Sequence, residues 1–226
     1  MSVKAVKKWA LIGAGFVGLL MLLGFMLLVG LYYLSRSVQH YSACEVIEFK
    51  VAGDTFRVPP KYIWSVDGLK GCTAKGANLH VAYPDMRPIT KEETAPPGLG
   101  VQITFVIGER GPRSSGARSF AEQQGFWQRE EPERFHGLWV WTPGLSANRQ
   151  YAMPLDEAYD KVKFFCDEDG SVPYPSCSGF YNYSESISIR FSFSKDYLTD
   201  WQLISDQLAA LVDEFNANKW GQKKIK

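Results

Sequence analysis

The run SISIRFSFSKDYLTDWQLISDQLAALVDEF at residues 186–215 changes its hydrophobic period midway, and the fold class follows from that change. In its first part Ile187, Ile189, Phe191 and Phe193 alternate with Ser186, Ser188, Arg190 and Ser192. Successive side chains of a strand point to opposite faces, so the alternation predicts a half-buried antiparallel strand. From Leu198 onward the period lengthens: Leu198, Trp201, Ile204, Leu208, Leu211, Val212 and Phe215 recur at three and four residues and line one face of a helix. Asp196 or Thr199 stands where such a helix would be capped. A sheet with one apolar face needs a cover, and this helix supplies one. The segment therefore predicts an α+β arrangement, a mainly antiparallel β-sheet covered by a C-terminal amphipathic helix.

Further strands are expected on both sides. Val101, Ile103, Phe105 and Ile107 alternate, as do Leu79, Val81 and Tyr83, and Val162, Phe164 and Cys166; Glu45 to Val51 is another β segment. The run from Cys166 to Cys177 reads as a long hairpin connection, with strand continuing from Tyr181 to Phe193. Between Glu109 and Phe135 the chain is polar, rich in Gly, Arg and Glu, and without sustained period, which predicts a long loop and a contact surface.

Ahead of all this, residues 10–34 read ALIGAGFVGLLMLLGFMLLVGLYYL without a charge. As a helix that run spans roughly 37 Å, enough to cross a hydrocarbon core of about 30 Å. It exceeds the apolar region of a signal peptide, and no small-residue cleavage site follows it. Lys4, Lys7 and Lys8 precede the span and only Arg36 follows closely, so residues 1–9 are expected in the cytoplasm. Residues 35–43 then form a linker, and residues 44–226 an exported domain on the periplasmic side of a bacterial inner membrane. Ala10, Ala14 and Gly18 repeat at four-residue spacing, which offers a close-packing face to a second copy of the helix. The span holds no ionisable residue of the kind that ion pathways need.

Four cysteines, Cys44, Cys72, Cys166 and Cys177, all follow the span, and an even number in an oxidising compartment implies two disulfides. Pairing Cys44 with Cys72 and Cys166 with Cys177 closes two local loops. Of the 25 Lys and Arg residues, Lys4, Lys7, Lys8 and Arg36 precede the exported part, whereas all 24 acidic residues lie within it, leaving that part at net −3. That balance gives no footprint for nucleic acid.

Catalytic signatures are missing from the sequence. There is no Gly-x-Ser-x-Gly elbow, no phosphate-binding glycine motif and no metal-ligand spacing, and His40, His80 and His136 are scattered. No enzyme activity, cofactor or metal is expected. Aromatic residues are more informative: Phe126, Trp127, Phe135, Trp139 and Trp141 gather in and beside the polar loop, and such side chains serve as anchors of protein interfaces. In the run Gly137 to Thr142 both strand faces carry large apolar groups. Either that strand is buried on both sides, or Trp139 and Trp141 face a partner.

The order Phe56-Arg57-Val58-Pro59-Pro60-Lys61-Tyr62, followed by Leu79 and by Tyr83-Pro84-Asp85-Met86-Arg87-Pro88, resembles bacterial envelope proteins encoded near secreted antibacterial effectors. Some of these are type VI secretion immunity proteins. The resemblance covers about the first third of the exported part. It implies a membrane-anchored binding protein that neutralises an effector stoichiometrically, with a protein partner, lipid contact through residues 10–34 and no catalytic residues. The alternative reading is a structural subunit of an envelope or secretion-system complex.

Overall fold

The computed structural model describes residues 44–90, 93–94, 100–111, 133–141, 149–156 and 159–219, together with Met21, Gly24 and Met26. The chain divides into two units, Met1–Ala43 and Cys44–Lys226. In the first, Met21, Gly24 and Met26 are helical, and Met21 and Met26 are exposed. Ala10, Ala14 and Gly18 and most of the expected span lie outside the described residues. Among the described residues no helix is long and apolar enough to cross a membrane.

The second unit begins with a hairpin, β1 (Ile47–Val51) and β2 (Asp54–Val58). Its turn places Ala52 and Gly53 at positive φ, the geometry whose twist matches that of the flanking strands. Phe49 faces Phe56 across the pair with ring centroids 5.7 Å apart. Asn216 and Asn218, beyond the final helix, donate to the two oxygens of Asp54 at 3.0 and 2.8 Å and tie the hairpin down.

The remaining strands are β3 (Ile63–Asp67), β4 (Gly76–Ala82), β5 (Gln102–Glu109), β6 (Glu133–Phe135), β7 (Leu138–Trp141), β8 (Arg149–Pro154), β9 (Val162–Asp167), β10 (Ser176–Asn182) and β11 (Ile187–Ser194). They form one antiparallel sheet in the order β3-β4-β5-β11-β10-β9-β8-β7-β6. Chain order and sheet order part company after β5. The chain leaves the middle of the sheet, restarts at the far edge and works back strand by strand until β11 pairs with β5. Crossing six interstrand spacings of about 4.8 Å, roughly 29 Å, requires a long connection, and it falls where the sequence reads as polar loop.

One expectation is corrected here. Tyr181 to Phe193 is not a continuous strand, because the chain reverses between Asn182 and Ile187. The Ser184 Oγ accepts from the backbone N–H of Ser186 at 3.3 Å and of Ile187 at 3.1 Å, so a serine closes a turn that has no Gly or Pro.

On one face of the sheet Leu79, Val81, Ile103, Phe105, Ile107, Leu138, Val162, Phe164, Ile187, Ile189, Phe191 and Phe193 are all buried. The helix α1 (Trp201–Phe215) buries Trp201, Ile204, Leu208, Leu211, Val212 and Phe215 in turn. Trp201 meets Phe164 at 5.9 Å and Phe215 meets Tyr62 at 5.2 Å. Neither Asp196 nor Thr199 caps α1, since residues Lys195–Asp200 form a 3-10 turn that moves the start to Trp201. The residue at the cap, Asp200, makes no side-chain cap bond; its carboxylate accepts instead from the Tyr83 hydroxyl at 2.7 Å.

That contact carries a pH prediction. Burial, and then the Asp200 carboxylate, push the Tyr83 phenol up to about 12 from its ordinary 10.0. The folded chain thus holds this proton more tightly than the unfolded chain. The resulting stabilisation is complete below the ordinary value and is lost as pH rises through about 12. Alkaline ultraviolet titration of the full-length chain should show a late tyrosinate step that Tyr83→Phe removes.

Disulfides join Cys44 to Cys72 and Cys166 to Cys177. The second links directly opposed residues of β9 and β10, with Cα atoms 4.0 Å apart and both side chains buried. The first fastens the segment before β1 to the β3–β4 connection, where the backbone N–H of Glu48 already donates to the Cys72 carbonyl. Its ends are 28 residues apart. On the chain-entropy model, the double replacement Cys44→Ser/Cys72→Ser should cost about 3–4 kcal/mol, read as a melting temperature below that of the oxidised wild-type chain.

Candidate protein-binding face

Strand alternation sends every second residue of the sheet away from α1, and on β7, β8, β9 and β10 that outward set includes a large aromatic ring on each strand among polar neighbours. Trp141, Tyr151, Phe165 and Phe180 occupy adjacent strands, and consecutive ring centroids lie 5.9, 5.0 and 5.4 Å apart. The Arg190 guanidinium extends the row on β11, 5.7 Å from the Phe180 centroid. All four rings are half-buried. Edge-to-face and tilted pairs of this kind each contribute about 0.5–1.5 kcal/mol beyond area burial, which fixes the rings as a stiff platform. A stiff aromatic surface gives up little side-chain entropy when a partner covers it.

Two shallow concavities share Phe180 and Ser178. One, of about 260 Å³, lies over Asn78, Thr104, Val106, Arg190 and Ser192. The other, of about 310 Å³, is bounded by Arg149, Phe165, Asp167 and Ser176. The small serines leave space beside the large rings, so the relief can accept protruding side chains. The Asp167 Oδ2 accepts from both the backbone N–H and the hydroxyl of Ser176 at 3.0 Å, which anchors the floor of the second concavity. Burial, and then the nearby Arg110 guanidinium, hold the Lys163 ammonium below its ordinary range.

The strand of Trp139 and Trp141 is fully buried on one face only. Leu138 and Val140 enter the core, whereas Trp139 and Trp141 stand half-buried on the opposite face, and Trp141 belongs to the aromatic row. Phe135 is 40% exposed and lies beside the His136 ring, away from that row in β6. Phe126 and Trp127 lie outside the described residues. Sequence pattern alone does not single out Tyr151, Phe165, Phe180 and Arg190. Their signal is the second parity of recognisable strands: where Val162, Phe164 and Cys166 point inward, Lys163, Phe165 and Asp167 point outward.

Among the described residues no three His, Cys, Asp or Glu side chains gather as metal ligands would. The geometry defines a domain with one helix-covered face and one face that carries a row of half-buried aromatic rings. Its fold is similar to that of Smlt3025, an immunity protein of the Stenotrophomonas maltophilia type IV secretion system, with a TM-score of 0.56 over 76% of this chain and 94% of that one, at 14% identity. That neighbour serves a type IV system, where the sequence resemblance pointed to type VI. Neither a protein-family model nor a curated protein sequence matches the chain.

Proposed function

We propose that this chain is a membrane-anchored periplasmic immunity protein, which neutralises a secreted antibacterial effector by binding it stoichiometrically, without turnover. The observation that carries the reading is the likeness to Smlt3025, which takes in 94% of that immunity protein. The aromatic outer face supplies a surface suited to such a partner. The neighbour's type IV system lends no support to the type VI assignment, so the effector's secretion route is open to either kind. The uncharged run at residues 10–34 supports the anchor, and the helical, exposed Met21 and Met26 suit side chains that face lipid. Two disulfides suit an oxidising compartment.

The test is affinity purification of the detergent-solubilised full-length chain from its native host, followed by mass spectrometry and a toxicity assay. One secreted effector, recovered at one-to-one stoichiometry and inactive when bound, is the expected result. Recovery of several envelope proteins and no effector would favour a structural subunit instead.

A further inference from the structure

The outward positions of β6 to β11 are unlike the rest of the domain in charge. Their described ionisable residues are Arg134, Arg149, Lys163 and Arg190, against the single carboxylate of Asp167. Arg134, Arg149 and Arg190 are exposed, and Lys163 is half-buried. The opposite side carries the reverse balance. Residues 195–219 contain Asp196, Asp200, Asp206, Asp213 and Glu214 but only Lys195 and Lys219 as cations. In a part of the chain with net charge −3, the outward positions around the half-buried aromatic row thus hold four cations and one carboxylate.

We infer that the outer face of the sheet docks an acidic surface of a partner protein, with carboxylates seated on Arg149 and Arg190 and an apolar side chain set against Phe180 between them. The inference rests on the immunity reading for the partner's identity, not for its chemistry. Guanidinium groups recognise carboxylates in a bidentate fork, and aromatic rings beside them exclude water and strengthen the contact. The electrostatic part also steers encounter, so association should slow with added salt. A phosphate polymer is the weaker match: the acidic far side and the net charge oppose a polyanion that extends beyond the patch.

The experiment uses the full-length chain in detergent micelles and a fluorescein-labelled glutamate–tyrosine copolymer at four to one, read by fluorescence anisotropy. Saturable binding is expected, weakened on the order of tenfold or more by Arg149→Glu/Arg190→Glu and unchanged by Lys50→Glu, an exposed cation of β1. Near-UV circular dichroism establishes that both variants keep the wild-type fold. Absence of copolymer binding, equal binding by the double variant, or tighter binding of oligo-thymidylate or phosphatidylglycerol vesicles would overturn the inference. The two proposals also fail separately. An effector retained at full strength by the double variant sinks the acidic-partner inference alone, whereas copolymer binding with no effector recovered sinks the immunity reading alone.

Discussion

Replacing Trp201 with alanine should destabilise the Cys44–Lys226 unit by about 3–5 kcal/mol, the range for removing a large buried ring. Trp201 opens α1, is 1% exposed and sits edge-on to Phe164 at 5.9 Å and Tyr159 at 5.1 Å. Its polar edge is satisfied as well, because the indole N–H donates to the His136 carbonyl at 2.9 Å. His136 and Gly137 both have positive φ and form the two-residue turn between β6 and β7. One side chain thus joins the start of the covering helix to the far edge of the sheet. Trp201→Phe should separate the contributions, because it retains much of the ring packing but leaves the carbonyl unpaired. A loss of about 1–2 kcal/mol is expected for that variant, and a loss equal to alanine's would mean that the hydrogen bond dominates. Chemical denaturation of the full-length chain in micelles gives both values.

How much of the fold is legible in the sequence depends on how local the determining physics is. The alternation of Ile187 to Phe193 and the three-four spacing of Leu198 to Phe215 are local, and they specify β11, α1 and the layer between them. Non-local pairing is different. Nothing in residues 102–109 says that β5 lies beside β11, since strand neighbours are chosen by the closing of the sheet as a whole. The turn at Asn182–Ile187 leaves no Gly or Pro signal because serine hydrogen bonding reverses the chain there. The candidate face is half legible. Trp139 and Trp141 stand out as large residues in unusual places, but Phe165 and Phe180 resemble core residues until the direction of each strand is known. The charge asymmetry is hidden for the same reason: Arg134, Arg149, Lys163 and Arg190 are scattered in sequence and meet only through strand order.

A half-buried aromatic row is a liability on an outer sheet face, since apolar surface left uncovered invites self-association. The four cations offset it. Like charges on every copy oppose face-to-face pairing, while an acidic partner relieves the repulsion and covers the rings. Specificity and solubility are therefore served by the same residues, and a charge reversal at Arg149 and Arg190 removes both the attraction for the partner and part of this protection.

Gly179→Ala should be among the most damaging single substitutions in the sheet, although it adds only a methyl group. Gly179 lies in β10, opposite Phe191 of β11 and Phe164 of β9, on the face that α1 covers. The Phe191 ring lies over the glycine where a side chain would otherwise project. A Cβ placed there would come within 2.6 Å of Phe191 Cε1 and nearer still to Cζ. Real Cβ atoms do not tolerate such separations, so the ring must move. It has little room: Phe191 is 2% exposed, stacks on Phe193 at 5.8 Å and meets Phe164 at 6.1 Å. Overpacking of a filled core costs about 1–3 kcal/mol, and expulsion of the ring would raise this toward the 3–5 kcal/mol of a lost phenylalanine. The mechanism predicts its own rescue. In Gly179→Ala/Phe191→Leu the shorter side chain clears the added methyl, and the double variant should be more stable than Gly179→Ala by about 1 kcal/mol or more, although Phe191→Leu alone is destabilising. If the two costs simply add, the ring over the glycine is not what excludes a side chain at this position. Thermal melts of the four full-length chains, followed by near-UV circular dichroism, give the coupling directly.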